Sequence, residues 1–159
     1  MKKESLVILI GIQLLLVLAI VWWFQGKTTN KITGAAGSGN IYYVATNGNN
    51  ANPGTQTQPW ATFSYANSRL KPGDTLLLLS GTYNQKLVIS VSGTAQNKVS
   101  VKAAPGNSVI IDAQYAFNPA VHVMGSYVDI SDLTIKNGQY ICELLSGNSI
   151  TSSNITVTG

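Results

Sequence analysis

Charge is scarce in this sequence. Only 10% of its 159 residues are charged, and the formal net charge is +4. Four of the ten basic residues, at positions 2, 3, 27 and 31, flank the N-terminal segment, which leaves the rest of the chain close to neutral. Because no basic face with interleaved aromatic residues is visible, the composition argues against nucleic acid as a partner.

Cysteine and cofactor motifs are equally sparse. Cys142 is the single cysteine, so the chain cannot form an internal disulfide. It lies in the apolar run 140–145, which favours a buried thiol over a reactive one. The sequence has no glycine-rich phosphate loop and no Cys/His metal spacing, so its motifs indicate no cofactor-binding residues.

The chain does contain a pattern that returns at a fixed interval. The segment GSYVDISDLTIKN, from Gly125, aligns without a gap on GNSITSSNITVTG, from Gly147. Apolar and polar residues alternate within each unit, as they do in strands that bury one face. Two apolar tracks extend the pattern, the first through Leu77 and Leu79, Val99 and Val101, and Val121 and Val123, the second through Leu87 and Ile89, Val109 and Ile111, Leu133 and Ile135, and Ile155 and Val157.

A fixed period of 22 residues indicates a solenoid and not a domain with a single core. A leucine-rich repeat would need an Asn at position 138, where the chain has Gly138, and an aliphatic residue at Ser152. No repeat unit contains an amphipathic helix. The better interpretation is an all-β parallel β-helix of about four 22-residue coils, with its turns at the Gly and Asn clusters.

The N-terminal segment predicts a membrane anchor. Residues 5–24 carry no charge, and twenty apolar residues in a helix span about 30 Å of hydrocarbon. A cleaved signal peptide is the alternative, but the run ends in bulky Trp22, Trp23 and Phe24, and small residues begin only at Gly34. We therefore expect a cytoplasmic tip (1–4), a span in the lipid bilayer (5–24) and an extracellular body, or a secreted body if the segment is cleaved.

The body is predicted to begin at Ile41, after a small, polar linker at residues 25–40. The stretch 60–70 predicts a short helix that is stopped by the Pro-Gly pair after Lys71. A helix here would cover the open first coil of the solenoid, so residues 41–159 are interpreted as one β-helix with an N-terminal cap.

Short motifs in this region resemble a known family. They are Tyr-Val-Ala at 43–45, Pro-Gly-Thr at 53–55, Pro-Trp-x-Thr at 59–62, Pro-Gly-Asp at 72–74 and Gly-Thr-Tyr at 81–83. This series resembles the N-terminal cap and first coil of exported right-handed β-helix proteins of the pectate-lyase-like kind, many of which act on polysaccharides. One departure is Asn50, which stands where the family often has an acid in an early turn.

The resemblance implies a polysaccharide-active protein, with a lyase favoured over a glycoside hydrolase. Members that cleave uronic-acid polymers use acids that hold Ca²⁺ and a Lys or Arg that removes the proton, so Ca²⁺ is implied as a cofactor by resemblance alone. The family's catalytic coils lie further along the chain, so no catalytic residue can be named here.

Outward polar residues on the repeat supply candidates for contact with carbohydrate or a cation. They are Asp112, Asp132, Lys136 and His122. The alternation predicts that Asp112 stacks one coil before Thr134, and that Ser100 precedes His122. A solvated face is the alternative interpretation for these residues.

Two function hypotheses remain open. The first is the N-terminal part of a surface-anchored polysaccharide-active enzyme, and the second is a non-catalytic adhesin, stalk or glycan-binding module. A predicted outward column of Ser90, Asp112, Thr134 and Thr156 favours the module. Because the second repeat ends on a strand without a polar cap, we expect the chain to be truncated and its last coil to pair with further coils or with itself.

Overall fold

The computed structural model describes residues 39–116, 119–138, 140–142 and 149–158. The predicted tip and span, residues 1–24, and most of the linker lie outside this part of the chain. Within it, no helix has both the length and the apolar character needed to cross a membrane.

The described part contains one helix and ten strands, and every pair of neighbouring strands is parallel. The elements are β1 (Ile41–Val44), α1 (Phe63–Arg69), β2 (Thr75–Leu78), β3 (Gly81–Tyr83), β4 (Leu87–Ile89), β5 (Val99–Ala103), β6 (Val109–Asp112), β7 (Val121–Val123), β8 (Val128–Lys136), β9 (Tyr140–Cys142) and β10 (Ile150–Thr158). The predicted all-β parallel helix with a short capping helix is therefore confirmed.

The strands stack into three faces. A seven-stranded sheet runs in the order β1-β2-β5-β8-β6-β3, with β10 also paired to β8. The long strands β8 and β10 turn a corner, so their residues 128–131 and 150–153 continue the first face, with β1, β2 and β5. Their residues 134–136 and 156–158 continue the second face, with β3 and β6. The third face is the sheet β4-β7-β9.

The corner between the first and second faces is made by two stacked polar residues. Asp132 has a φ of 61° and Asn154 a φ of 52°, in the left-handed region that Asn and Asp tolerate better than most side chains. Asn154 Nδ2 donates to Asp132 Oδ1 over 2.9 Å. The corner is therefore repeated from coil to coil by a side-chain hydrogen bond as well as by the backbone.

The 22-residue spacing holds between β8 and β10 and fails elsewhere. Ile150 pairs with Val128, and Ile155 pairs with Leu133, as the alignment predicted. The predicted step of the second track from Ile111 to Ile135, two residues longer than the 22-residue spacing, is also confirmed. Both predicted tracks are wrong further back along the chain. In the structure Leu76 stacks on Val101, Val99 on Val128, Leu87 on Val121 and Val109 on Gly81.

The physical reason is that a β-helix fixes the stacking of strands and not the length of the turns. Thr75 pairs with Ser100, and Ser100 pairs with Asp129, so these two coils differ in length and both are longer than the coil from Asp129 to Thr151. Turns such as the one at Gly106, with a φ of 75°, add residues without moving the strands. The expectation of uniform 22-residue coils is therefore wrong.

Inward side chains form one continuous core inside the coils. Leu133 and Ile135 are buried in it together with Ile111 and Val109, as the period-two alternation requires. Their partners on the next coil differ, because Ile155 is half-buried and Val157 is 52% exposed. Among the described strands β10 pairs with β8 alone, so no described strand covers these two side chains from the other side.

The N-terminal cap closes the first coil with aromatic residues. Phe63, at the start of α1, stacks on Tyr83 with ring centroids 4.9 Å apart, and Trp60 stacks on Tyr42 at 4.6 Å. Burial raises the pKa of Tyr83 to about 12, and its hydroxyl donates to the carbonyl of Leu79 at 2.7 Å. The predicted short helix is thus confirmed at Phe63–Arg69, and Trp60 lies before its start.

Two polar residues hold the cap loops. Asn50 Oδ1 accepts from the backbone N–H groups of Ala61 and Thr62, and its Nδ2 donates to the Thr62 hydroxyl, the N-cap of α1. Asp74 is buried and accepts from the N–H groups of Asn40 and Lys71. Asn50, which departs from the family pattern, therefore has a structural role. Its amide oxygen accepts hydrogen bonds and its amide nitrogen donates one at the start of α1.

Candidate functional site

A polar groove runs across the first face. Outward side chains of β5, β8 and β10 line it because alternate residues of each strand point away from the core. Ser100 stacks beside Asp129 and Thr151 in one row, and Lys102 stacks beside Ser131 and Ser153 in the next. These six residues and Ile130 enclose about 290 Å³.

The first row is centred on the Asp129 carboxylate. Lys98 Nζ lies 3.0 Å from Asp129 Oδ1, and the Thr151 hydroxyl donates to the same oxygen. About a third of each charged side chain in the pair is exposed, so the ion pair contributes at most about 1 kcal/mol to stability. Its effect is to orient the carboxylate along the groove wall.

The second row places a cation beside a held carboxylate. Asp132 accepts from Asn154 Nδ2, and from the Ser131 hydroxyl at 2.7 Å. These two hydrogen bonds, with a smaller effect of the Lys102 charge, lower the pKa of Asp132 below its usual value. Lys102 itself is exposed, and the described residues give it no ion pair of contact length. The groove therefore offers one available ammonium group beside the hydroxyls of Ser131 and Ser153.

A second polar cluster lies where the second face turns towards the third. Asp112 and Lys136 are register partners on β6 and β8. Asp112 Oδ1 accepts from Gln114 N at 2.8 Å and from Asn137 Nδ2 at 2.9 Å. These hydrogen bonds, and to a smaller degree the Lys136 charge, lower the pKa of Asp112. The carboxylate is held at the base of the turn that follows β6.

That turn contains two residues in an uncommon conformation. Gln114 has a φ of 51° and Tyr115 a φ of 57°. The left-handed region costs a residue with a Cβ about 1–2 kcal/mol, and Tyr has no short polar side chain to offset that cost locally. The Tyr115 side chain is also 78% exposed, so core packing does not explain the conformation.

The structure brings together only some of the candidates chosen from the sequence. Asp112 and Lys136 are neighbours, but Asp112 stacks on Lys136 and not one coil before Thr134, whose partner is Ile110. Asp132 is in the middle of β8, on the corner. His122 is half-buried on the third face, where Val88 and not Ser100 stacks beside it.

The predicted outward column of Ser90, Asp112, Thr134 and Thr156 is present only in part. Thr134 and Thr156 are register partners. Ser90 lies outside the column, at the end of β4, where its hydroxyl accepts from Asn67. The column therefore gives less support to a uniform polar surface than the sequence suggested.

The groove residues Lys102, Asp129 and Ser131 were missed by sequence reasoning. The alternations VSVK at 99–102 and VDIS at 128–131 carry the signal, because each places polar side chains on the same outward phase. The interval from Ser100 to its partner Asp129 is longer than the interval from Asp129 to Thr151, so a search at one fixed period does not align them.

The described residues do not fit a Ca²⁺ site. Among them no group of three or more His, Cys, Asp or Glu side chains converges, whereas Ca²⁺ takes six to eight oxygen ligands. One oxygen of Asp129 and both oxygens of Asp132 already accept hydrogen bonds. The Ca²⁺ implied by the resemblance has no place in this part of the chain.

Comparison with known proteins gives one family and a small set of relatives. Residues 42–159 match the family model described as "Pel9A-like, right handed beta helix region". The uncharacterized protein YwoF of Bacillus subtilis (strain 168) is 27% identical over 143 residues, covering 86% of this chain and 29% of its own length. Pectate lyase L of Dickeya dadantii (strain 3937) is 29% identical over 107 residues, covering 62% of this chain and 25% of its own.

A solved structure shares the fold. It is the GH136 lacto-N-biosidase from Eubacterium ramulus, with 25% sequence identity and a TM-score of 0.53 over 74% of this chain and 24% of that one. In each of these comparisons the chain spans less than a third of the relative's length.

Proposed function

Because the chain belongs to the Pel9A-like right-handed β-helix family, we propose that it is the N-terminal cap and scaffold of a membrane-anchored extracellular protein that acts on a polysaccharide. The observation that carries the proposal is the groove on the first face. It combines an exposed ammonium group, an oriented carboxylate and a row of hydroxyls on a rigid sheet.

Such a groove suits a sugar chain for chemical reasons. Hydroxyl groups of a sugar both donate and accept, so they can donate to Asp129 and accept from Lys102. Ser153 can do either, and Ser131, which donates to Asp132, can accept. Rigid strands hold these side chains in place before a ligand arrives, which lowers the entropic cost of binding. The relatives named as pectate lyase and lacto-N-biosidase support a carbohydrate ligand for this chain.

A lyase remains our first choice of reaction, in line with pectate lyase L. A lyase removes a proton next to a carboxylate and leaves an unsaturated sugar, whereas a hydrolase adds water across the glycosidic bond. We assign neither reaction to a residue of this chain.

The alternative is a non-catalytic glycan-binding module, adhesin or stalk. A specific observation favours it, namely that the groove carboxylate Asp129 is engaged in an ion pair and a hydrogen bond, and that both oxygens of the neighbouring Asp132 accept hydrogen bonds. An acid in that state orients ligands well but is a poor proton acceptor, because its oxygens are already occupied by hydrogen-bond donors. The two proposals agree on the ligand and differ on turnover.

One assay separates these proposals. The protein is incubated with pectate and with neutral galactan, and ultraviolet absorbance of unsaturated sugars and release of reducing ends are both measured. Unsaturated products support the lyase, and reducing ends without unsaturation support a hydrolase. Retention on the glycan without either product supports the module. A protein that neither binds nor cleaves a glycan contradicts the proposed function.

The groove itself is tested by Lys102→Ala with Lys71→Ala as the matched control. Both lysines are exposed, but Lys71 lies in the turn after α1, away from the groove residues. We expect the first change to weaken glycan binding and the second to leave it unchanged. Equal binding by both variants would remove the groove from the proposal.

Anchoring is a separate part of the proposal and rests on the uncharged run 5–24. We expect the chain to stay in the membrane fraction after carbonate extraction, and its body to be digested by protease added to intact cells. A soluble mature form that begins near Ala36 would instead identify residues 5–24 as a cleaved signal.

A further inference from the structure

The turn after β6 presents an aromatic ring to solvent. Tyr115 is 78% exposed, more than any other large apolar side chain of the described residues. Its backbone and that of Gln114 are both left-handed. Neither burial nor a glycine explains this arrangement, and strained backbone of this kind concentrates at sites with a function.

Hydrogen bonds fix the turn on every side. Tyr115 N donates to the Asn137 carbonyl at 3.1 Å, and Ala116 N donates to the Ala113 carbonyl at 2.7 Å. Asp112 Oδ1 holds the preceding residue, Gln114, through its N–H. The backbone that carries the ring is therefore preorganised, and a ligand that stacks on the ring does not have to order the loop.

Polar groups flank the turn from two neighbouring strands. The second oxygen of Asp112, Oδ2, accepts no hydrogen bond from the described residues, and the exposed Lys136 is its register partner. One side of the turn therefore offers an apolar ring, and its base offers an acceptor and a donor. This cluster is on the second face, whereas the groove is on the first.

We propose that Tyr115, with Asp112 and Lys136, is a stacking subsite for one pyranose unit of a polysaccharide. The apolar C–H face of a pyranose packs on an aromatic ring, while its hydroxyls reach the carboxylate and the ammonium group. The same ring does not suit a protein partner, because a hot spot for protein binding lies in a surrounding apolar pocket. The other large exposed apolar side chains lie elsewhere, on β1, after β7 and on β10. The subsite rests on the proposed function, because it supplies a second contact for the same ligand.

The test is affinity electrophoresis of the full 159-residue chain in detergent, through gels that contain pectate or neutral galactan. Tyr115→Ala and Tyr115→Gly both remove the ring, and Gly also suits the left-handed backbone, so the second variant folds without strain. We expect binding to weaken about tenfold in both variants, which corresponds to the loss of one stacked ring. Tyr115→Phe should bind like the wild type. Met124→Ala removes an exposed apolar side chain elsewhere and should have no effect.

The outcomes separate this inference from the proposed function. If the wild type is retarded and both ring-removal variants are retarded equally, the subsite is wrong and the proposed function stands. If the wild type is retarded by neither glycan, the proposed function fails and the subsite falls with it. If loss of the ring changes only the sedimentation coefficient, the ring contacts a second copy of the chain and the inference is overturned.

Discussion

Adjacent residues on β8 test which side of the strand is buried. Leu133 is 2% exposed, whereas Thr134 is half-buried and faces outward. Leu133→Asp would place a charge without a partner in the core, which should lower the free energy of unfolding by several kcal/mol. Thr134→Asp should change it by less than about 0.5 kcal/mol. Chemical denaturation of the two variants measures the difference, and equal effects would contradict the strand phase.

Acid should weaken the corners of the coils. The pKa of Asp132 is lowered in the folded state, mainly by its hydrogen bond from Asn154. Its contribution to stability is therefore complete above the ordinary value of 3.8 and is lost as pH falls through the lower folded value. We expect the melting temperature of the wild type to fall over this acidic window by more than that of Asp132→Asn, which cannot titrate. Parallel pH profiles for the two proteins would contradict the assignment.

At the level of single residues, the sequence predicted burial better than contact. Alternation identified Leu133 and Ile135 as buried, because a strand allows a side chain only two directions. Contacts between coils depend on the register, which turn lengths set. Asp112 and Lys136 were therefore both chosen as candidates, while their pairing was missed.

The capping helix depends on Asn50. Its side-chain oxygen accepts from two backbone N–H groups at the start of α1. Asn50→Ala leaves those donors without this acceptor and should cost about 1–3 kcal/mol. Asn50→Asp keeps the acceptor, and the Thr62 hydroxyl can turn to donate to the carboxylate, so we expect a smaller loss. Thermal melts of both variants test this. An Asp variant as unstable as the Ala variant would show that the stabilisation comes from the hydrogen bond that Asn50 Nδ2 donates.

Strand elements were predicted well where two long copies lie side by side. β8 and β10 each contain nine residues with the same corner, so a gapless alignment found their true register. The shorter strands β4 and β7 contain three residues each. A V-x-V pattern of that length matches by chance at many spacings, which is why the longer tracks were wrong.

For the molecule as a whole, the fold class could be predicted because it depends on features that do not change with the length of the turns. Glycine and asparagine at corners, alternation in strands and the absence of amphipathic helices all favour a parallel β-helix. The groove on the first face depends instead on side chains from three coils of unequal length, as in the stacked row of Ser100, Asp129 and Thr151. Such a surface forms only when separate coils stack, so no single segment of the sequence predicts it.

The last strand leads to a prediction about assembly. β10 pairs with β8 along one edge, and no other described strand pairs with its second edge. Val157 is 52% exposed, although it stacks on the buried Ile135. An open edge that carries apolar side chains is a template for another strand. We expect residues 41–159, expressed alone, to associate through β10 in sedimentation velocity experiments.

Val157→Lys tests whether that edge carries the association. A charge at an inward position of an open edge strand discourages pairing, so this variant should shift the fragment towards the monomer. Thr156→Lys adds the same charge one residue earlier, on the outward phase, and should shift it less. Both must keep the parallel β fold by circular dichroism for the comparison to count. A fragment that is already a cooperatively unfolding monomer would contradict the prediction, because the apolar end of the coil would then be stable in water.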